Sequence, residues 1–156
     1  MVALLEATDA HFAWMLDEGP PCAGLTLPPG GIETPFVLTW LRNGLDATPK
    51  SNCWLMVEAG EVVGAISFKG AIDAAGAVEI GYGVAPERRR RGFATLAIGA
   101  LIELASRELP VTSLTAETSV DNLPSQLALE RNRFERVGER MDEEDGALVQ
   151  WRRAVG

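Results

Sequence analysis

The chain has 156 residues and a formal charge of −8, with 14 lysines and arginines against 22 acids. That length suits one domain with a full core, and 47% apolar with 23% charged residues is an ordinary globular composition. No run approaches the ~20 apolar residues of a membrane span, and so acidic a chain lacks the broad basic face that a nucleic-acid binder needs.

The N-terminus, Met1 to Phe12, has no basic leader pattern, so no signal peptide is expected. Val2–Ala7 is a short apolar run that reads as a first strand. Thr8-Asp9 then offers a helix cap and a first-turn acid, and Phe12, Met15 and Leu16 form a helical stripe to about Asp17. His11, on this helix, is the only histidine. Unless His11 itself serves, no Ser-His-Asp hydrolase or multi-histidine metal centre is available, and no metal site is expected. Gly19–Gly31 holds four prolines and four glycines and reads as a loop. Loops of this length are often functional. Thr34 to Gly44 is a second helix, with Phe36, Val37, Trp40 and Leu41 on one side. Trp40 reads as core packing. Asp46–Asn52 is a second loop.

Cys53–Glu58 and Glu61–Phe68 are strand patterns joined by Ala59-Gly60, a hairpin signal. Cys22 and Cys53 have no metal-ligand or disulfide spacing and read as incidental or buried thiols. A third strand, Ala77–Val84, follows and is interrupted by Gly81 and Gly83. Glycines inside a strand suggest a bulge or a close approach. Pro86 ends this strand. Four arginines, Arg88 to Arg91, precede Gly92, and a helix runs from Phe93 to Glu108. Its apolar stripe is Phe93, Leu96, Ala97, Ala100, Leu101 and Leu104. Pro110 stops the helix. Thr112–Thr118 is a strand, Asp121-Asn122 opens a short helix to about Asn132, and Phe134–Met141 and Ala147–Arg153 form a final hairpin. This order suits a single α/β (α+β) domain: a mixed sheet of about seven strands with helices on both faces.

Strand, tight turn and helix over residues 78–108 have a chemical meaning. The first amides of a helix lack intrahelical partners and face outward, and the helix dipole adds partial positive charge. A small residue lets a ligand reach the backbone, and flanking arginines reinforce anion binding. A phosphate or pyrophosphate fits such a site. The spacing is neither a P-loop nor a dinucleotide fingerprint. A charge run can also be a solvated turn. As for nucleic acid, without these four arginines the remaining charge is −12, so the run is one basic spot on an acidic protein.

Arg89-x-x-Gly92-x-Ala94 resembles the [QR]-x-x-G-x-[GA] acetyl-CoA motif of the GCN5-related N-acetyltransferases (GNAT). The flanking Glu79-Ile80-Gly81-Tyr82, the stretch Arg91-Gly92-Phe93-Ala94-Thr95, and Asn122-Leu123-Pro124-Ser125 as an N-x-x-S look most like the subgroup that acetylates ribosomal-protein N-termini. The likeness is clearest over residues 77–153. It implies a mostly antiparallel sheet with a V-shaped splay between strands 78–84 and 112–118. The pantetheine arm of acetyl-CoA would lie there, against the backbone of Tyr82, Gly83 and Val84. The pyrophosphate would sit on Arg89, Arg90, Arg91, Gly92, Phe93, Ala94 and Thr95, and Asn122 would hydrogen-bond the pantetheine. The helical region near 34–44 would form part of the acceptor-side wall.

Acetyl transfer to an amine needs a neutral amine, donors for the thioester oxygen, and help for the leaving thiolate. Glu79 resembles the strand glutamate that serves as base in several family members, and alternation puts it on one face with Gly81 and Gly83. The bland reading is a surface glutamate paired with a cation. Ser125 takes the thiolate-side role in the subgroup, and a helix cap is its alternative, as it is for Asn122. Many members carry a tyrosine four residues after that serine; here the position is Leu129. Tyr82, the only tyrosine, is a poor substitute by position. Where the family usually has glycine before the phenylalanine of the last strands, this chain has Arg133-Phe134. Glu117 and Glu130 read as structural. The resemblance implies a cytoplasmic acetyl-CoA-dependent N-acetyltransferase, in a family where homodimers are common, acting on a protein or peptide N-terminus or on a small amine. A non-catalytic acyl-CoA-binding module is a third reading.

Overall fold

Strands β2 (Cys53–Glu58) and β3 (Glu61–Phe68) are apolar on both faces, and that decides the architecture. Along β2, Trp54 and Met56 join one core cluster and Cys53 and Leu55 join another. A strand buried on both sides needs cover on both sides. The computed structural model describes residues 1–45 and 52–155. Its seven-stranded sheet has the order β1-β2-β3-β4-β5-β7-β6. The remaining strands are β1 (Ala3–Glu6), β4 (Ala77–Val84), β5 (Ser113–Ser119), β6 (Glu135–Asp142) and β7 (Gly146–Ala154). All neighbours are antiparallel except β4 and β5. The expected α/β sheet and its element order are therefore present, with no strand end displaced by more than one residue.

One face is covered by helices α3 (Phe93–Glu108) and α4 (Leu123–Arg131), the other by α1 (Asp9–Met15) and α2 (Pro35–Gly44). α3 buries Ala97, Ile98, Leu101 and Ala105, while Leu96 is 47% exposed. The expected stripe is thus rotated. This helix is apolar nearly all round, so its pattern does not fix which side meets the sheet. Asn132 fastens α4 to α3: its Nδ2 donates to Thr95 O at 2.9 Å and to Ala128 O at 2.9 Å. Arg133 follows in the left-handed region at φ 63°, so this turn keeps the geometry that glycine would supply. Leu129 is fully buried in the core.

On the other face, α1 is held by Phe12, which is fully buried. Truncating such a side chain costs about 3–5 kcal/mol. Arg42 of α2 reaches Asp9 and Glu18, but these are surface pairs and contribute little beside the core. α2 packs through Leu38 and Leu41, leaving Phe36 82% and Trp40 51% exposed. Trp40 is therefore not core: with Leu38 and Leu41 turned inward, it stays half-exposed and lines hollows beside β3 and β4. The long loop is pinned at its middle, where Thr26 N donates to Gly60 O at 3.0 Å and Val62 N donates to Thr26 O at 2.9 Å. The expected loop at 46–52 lies outside the described residues except for Asn52.

Candidate active site

The site begins where β4 ends. Pro86–Arg88 form one 3₁₀ turn, and the first arginine of the run is spent on structure. Its Nε donates to Glu61 Oε1 at 2.6 Å and its Nη2 to Glu61 Oε2 at 3.1 Å. The guanidinium holds the Glu61 carboxyl below the usual carboxylate range. Arg88 thus clamps the turn to β3.

Beyond it, Arg90 (φ 67°) and Gly92 (φ 79°) both lie in the left-handed region and bring the chain round to α3. A Cβ at such a φ costs about 1–2 kcal/mol, which is the reason for glycine at 92. A Cβ built there would meet nothing within 4 Å, so the space over the helix N-terminus is open. Gly92 O accepts from Leu96 N at 3.0 Å, leaving the amides before Leu96 at the helix end. Phe93 and Ala94 direct their side chains into the core and keep their backbone at this end. Arg89, Arg90 and Arg91 are exposed, and among the described residues only Arg88 of the four pairs with a carboxylate. Open space, guanidinium groups without a carboxylate partner among the described residues, and free helix amides fit a pyrophosphate.

The β4–β5 ladder supplies the second feature. It holds three residue pairs, the last being Glu79↔Thr115, and then stops. From Ile80 to Val84, β4 keeps its β3 partner but has none on the β5 side. The two strands therefore splay, and the free edge of Tyr82, Gly83 and Val84 lines the gap. Tyr82 points to the α3/α4 side and reaches across it. Its hydroxyl lies 2.7 Å from Ser125 Oγ and donates to Ser125 O at 3.3 Å. Burial pushes the phenol above its usual range, while the serine contact pulls the other way. Asn122 caps α4: its Oδ1 accepts from Ser125 N at 3.2 Å. Ser125, by contrast, gives its hydroxyl to Tyr82 and not to the cap. The serine–tyrosine contact spans residues far apart in sequence, which is why Tyr82's position there was uninformative.

On the opposite face of β4, Glu79 Oε2 is 3.4 Å from Lys69 Nζ, with both side chains partly exposed. The two strand glycines are where other groups approach. A Cβ at Gly81 would stand 2.9 Å from Lys69 Cδ, and one at Gly83 would stand 2.4 Å from Glu33 Oε1. Glu33, Val37, Trp40, Lys69, Gly81 and Gly83 help to line a cavity of about 170 Å³. Sequence reasoning missed Glu33 and Lys69. The alternating glycines were the available signal, since they announce an approach without naming what approaches. A second hollow, between the end of α2 and β3, is lined by Trp40, Leu41, Cys53 and Phe68 and contains none of the expected site residues. Burial pushes the Cys53 thiol up to about 12. His11 Nδ1 accepts from Thr8 N at 2.9 Å and serves as a helix cap. Glu117 is bound by Arg140, whose guanidinium holds it below the usual carboxylate range. Among the described residues no cluster of His, Cys, Asp or Glu could hold a metal ion, and no helix is long and apolar enough to cross a membrane.

The sequence matches the model of the acetyltransferase (GNAT) domain over residues 32–135. The chain belongs to the GNAT family. YjdG of Bacillus subtilis (strain 168), an uncharacterized N-acetyltransferase, is 34% identical over 91 residues, which are 57% of this chain and 54% of that protein. The match thus spans about half the length of that relative. RimL, a ribosomal L7/L12 α-N-protein acetyltransferase solved with coenzyme A, superposes with a TM-score of 0.76 at 18% identity, covering 99% of this chain and 94% of that one. The aminoglycoside acetyltransferase AAC(6′)-Ib, also solved with coenzyme A, gives 0.72 at 20% identity, covering 99% and 95%. These two likenesses establish the GNAT fold of the whole described chain.

Proposed function

We propose that this protein transfers the acetyl group of acetyl-CoA to a primary amine, with a protein or peptide N-terminus as the preferred acceptor. One observation carries the reading. The β4–β5 ladder stops after Glu79↔Thr115 and leaves a gap with the arginine turn at its mouth and the Tyr82–Ser125 hydroxyls across it. In this proposal Arg89, Arg90, Arg91 and the amides through Thr95 hold the pyrophosphate. The free edge of Tyr82–Val84 aligns the pantetheine, and the amide side of Asn122 is left to reach it. Family membership and the coenzyme A in the RimL and AAC(6′)-Ib structures support the choice of thioester.

Glu79 takes the amine's proton as the nitrogen attacks the thioester carbon. The C–N bond forms, the C–S bond breaks, and the thiolate leaves toward Ser125. The Ser125–Tyr82 pair meets it as hydrogen-bond donors. A phenol near ~10 is a weaker acid than a thiol near ~8.5, so full proton transfer from it is uphill and the proton finally comes from solvent. An α-amine at ~7.8 costs about 1 kcal/mol to deprotonate at pH 7, whereas an alkyl amine at ~10.4 costs about 4.6. A partly exposed glutamate is better matched to the first, which favours N-termini. The AAC(6′)-Ib likeness keeps small amines as the alternative acceptors. A cytoplasmic setting fits the reading, since Cys22 and Cys53 are both free thiols.

The test is acetyl-CoA binding by calorimetry, then thiol release against peptides and small amines. Binding with release on a peptide N-terminus is the expected result. Glu79→Gln should then lower kcat about 100-fold and leave acetyl-CoA affinity unchanged. Binding without release from any acceptor would instead make the protein an acyl-CoA-binding module.

A further inference from the structure

The cleft on the α1/α2 face of β4 contains a carboxylate that the scheme above does not use. Glu33 is fixed from both sides along the chain. Ile32 before it is 2% exposed and anchored in the core, and Thr34 after it caps α2 by accepting from Val37 N at 3.3 Å. With its neighbours pinned, the Glu33 side chain is held over β4, where its Oε1 occupies the space that a Cβ on Gly83 would need. Gly83 is thus the residue that lets this carboxylate lie against the strand, within the Tyr82–Val84 stretch proposed to align the pantetheine.

Among the described residues its charge is unanswered. Lys69 is the cation of this cavity, and its Nζ lies against Glu79. Among the described residues Glu33 has no cationic partner within 4 Å. Among the described residues, Glu33, Glu79 and Lys69 leave a single uncompensated negative charge beside a cavity of about 170 Å³. That volume lies below the roughly 300–1,000 Å³ of sites enclosing a whole drug-sized ligand, so it takes only the end of a larger molecule. Val37 and the half-exposed Trp40 wall it, offering hydrocarbon and an aromatic face beside the carboxylate. An ammonium head followed by a short apolar segment satisfies all of these groups at once.

We propose that Glu33 is the acceptor-reading residue: it binds the incoming primary ammonium at Gly83 and delivers it to the Glu79 side of the cleft. The proposal rests on the acetyltransferase reading for its consequence in turnover, but its binding claim stands apart from turnover. Glu33 is a binding residue here and Glu79 the proton acceptor, so the two make different kinetic predictions.

The experiment titrates n-hexylammonium into the full-length protein, following the backbone amides of Gly81 and Gly83 by NMR, for wild type, Glu33→Gln and Glu33→Asp. Steady-state kinetics with a peptide N-terminus run alongside. Glu33→Gln should weaken n-hexylammonium binding at least tenfold and abolish most of its salt dependence. It should raise the acceptor KM by a similar factor, keep kcat within about twofold, and leave acetyl-CoA affinity unchanged. Glu33→Asp should recover part of the loss. Equal n-hexylammonium affinity in wild type and Glu33→Gln, or no binding to wild type, overturns the assignment even if turnover is robust. Glu33-dependent binding without turnover on any amine would instead sustain the assignment and remove the acetyl-transfer reading.

Discussion

The turn that faces the proposed pyrophosphate takes its parts from consecutive residues, Arg89 to Thr95. The cleft on the other face of β4 takes Glu33, Trp40, Lys69 and Glu79 from a loop, a helix, a strand end and a second strand. The first is a local structure: a left-handed glycine, a helix start and neighbouring guanidinium groups are parts that suit an anion, and all lie within one short stretch. The second exists only because β3, β4 and α2 pack together. A site built locally is carried intact by a short stretch of sequence. A site built by packing can change its chemistry one segment at a time, which is how one fold comes to serve different amines.

Exchanging charge in the turn is the strongest way to break this separation. Arg89→Glu together with Arg91→Glu should weaken acetyl-CoA binding at least 100-fold, or about 2.7 kcal/mol, since charge-assisted hydrogen bonds contribute about 1.5–3 kcal/mol each. Calorimetry reads that loss, and n-hexylammonium binding should survive it. If amine binding falls with it, the two halves are not independent.

A smaller effect is expected where the halves meet, at the Tyr82–Ser125 hydroxyl pair. Ser125→Ala and Tyr82→Phe should each lower kcat about tenfold, and the double variant should lose little more than either single one, because the two act as one donor. Multiplicative losses in the double-mutant cycle would show that they act separately.

The smallest effect concerns the support of the acceptor half. Burial holds His11 below the usual imidazole range, and its Nδ1 accepts from Thr8 only when that nitrogen is unprotonated. The folded state therefore favours the neutral ring. This contribution is full above about pH 6.5 and is lost as pH falls through the lowered folded value. Gln at this position keeps a capping-box acceptor without titrating. Thermal unfolding of His11→Gln between pH 7.5 and 5 should accordingly show a shallower fall in Tm than wild type, by a degree or two. An unchanged slope would place the acid sensitivity between pH 7.5 and 5 in another group.

What could be read in advance follows the same division. Period-two and helical patterns gave every element of the sheet and both helix layers, because those patterns are set by local geometry and by burial on one side or both. The motif from Arg89 to Ala94 marked the turn that is proposed to hold the pyrophosphate. Rotation of α3 was not legible, since Leu96 and Ile98 are equally apolar and only contact with the sheet chose Ile98. Nor was the role of Arg88, which looks like its three neighbours in the sequence and differs only in having Glu61 beside it. Tyr82 stood in the right strand but met its partner only when the strands splayed. Glu33 left no trace beyond the glycine that makes room for it. By itself the sequence determined the family, the order of the elements and the turn at Arg89–Thr95, all properties of neighbouring residues. Only the tertiary structure decided which carboxylates face the cleft proposed for the acceptor and, among the described residues, which of them is paired with a cation, because those are distances between segments that meet nowhere along the chain.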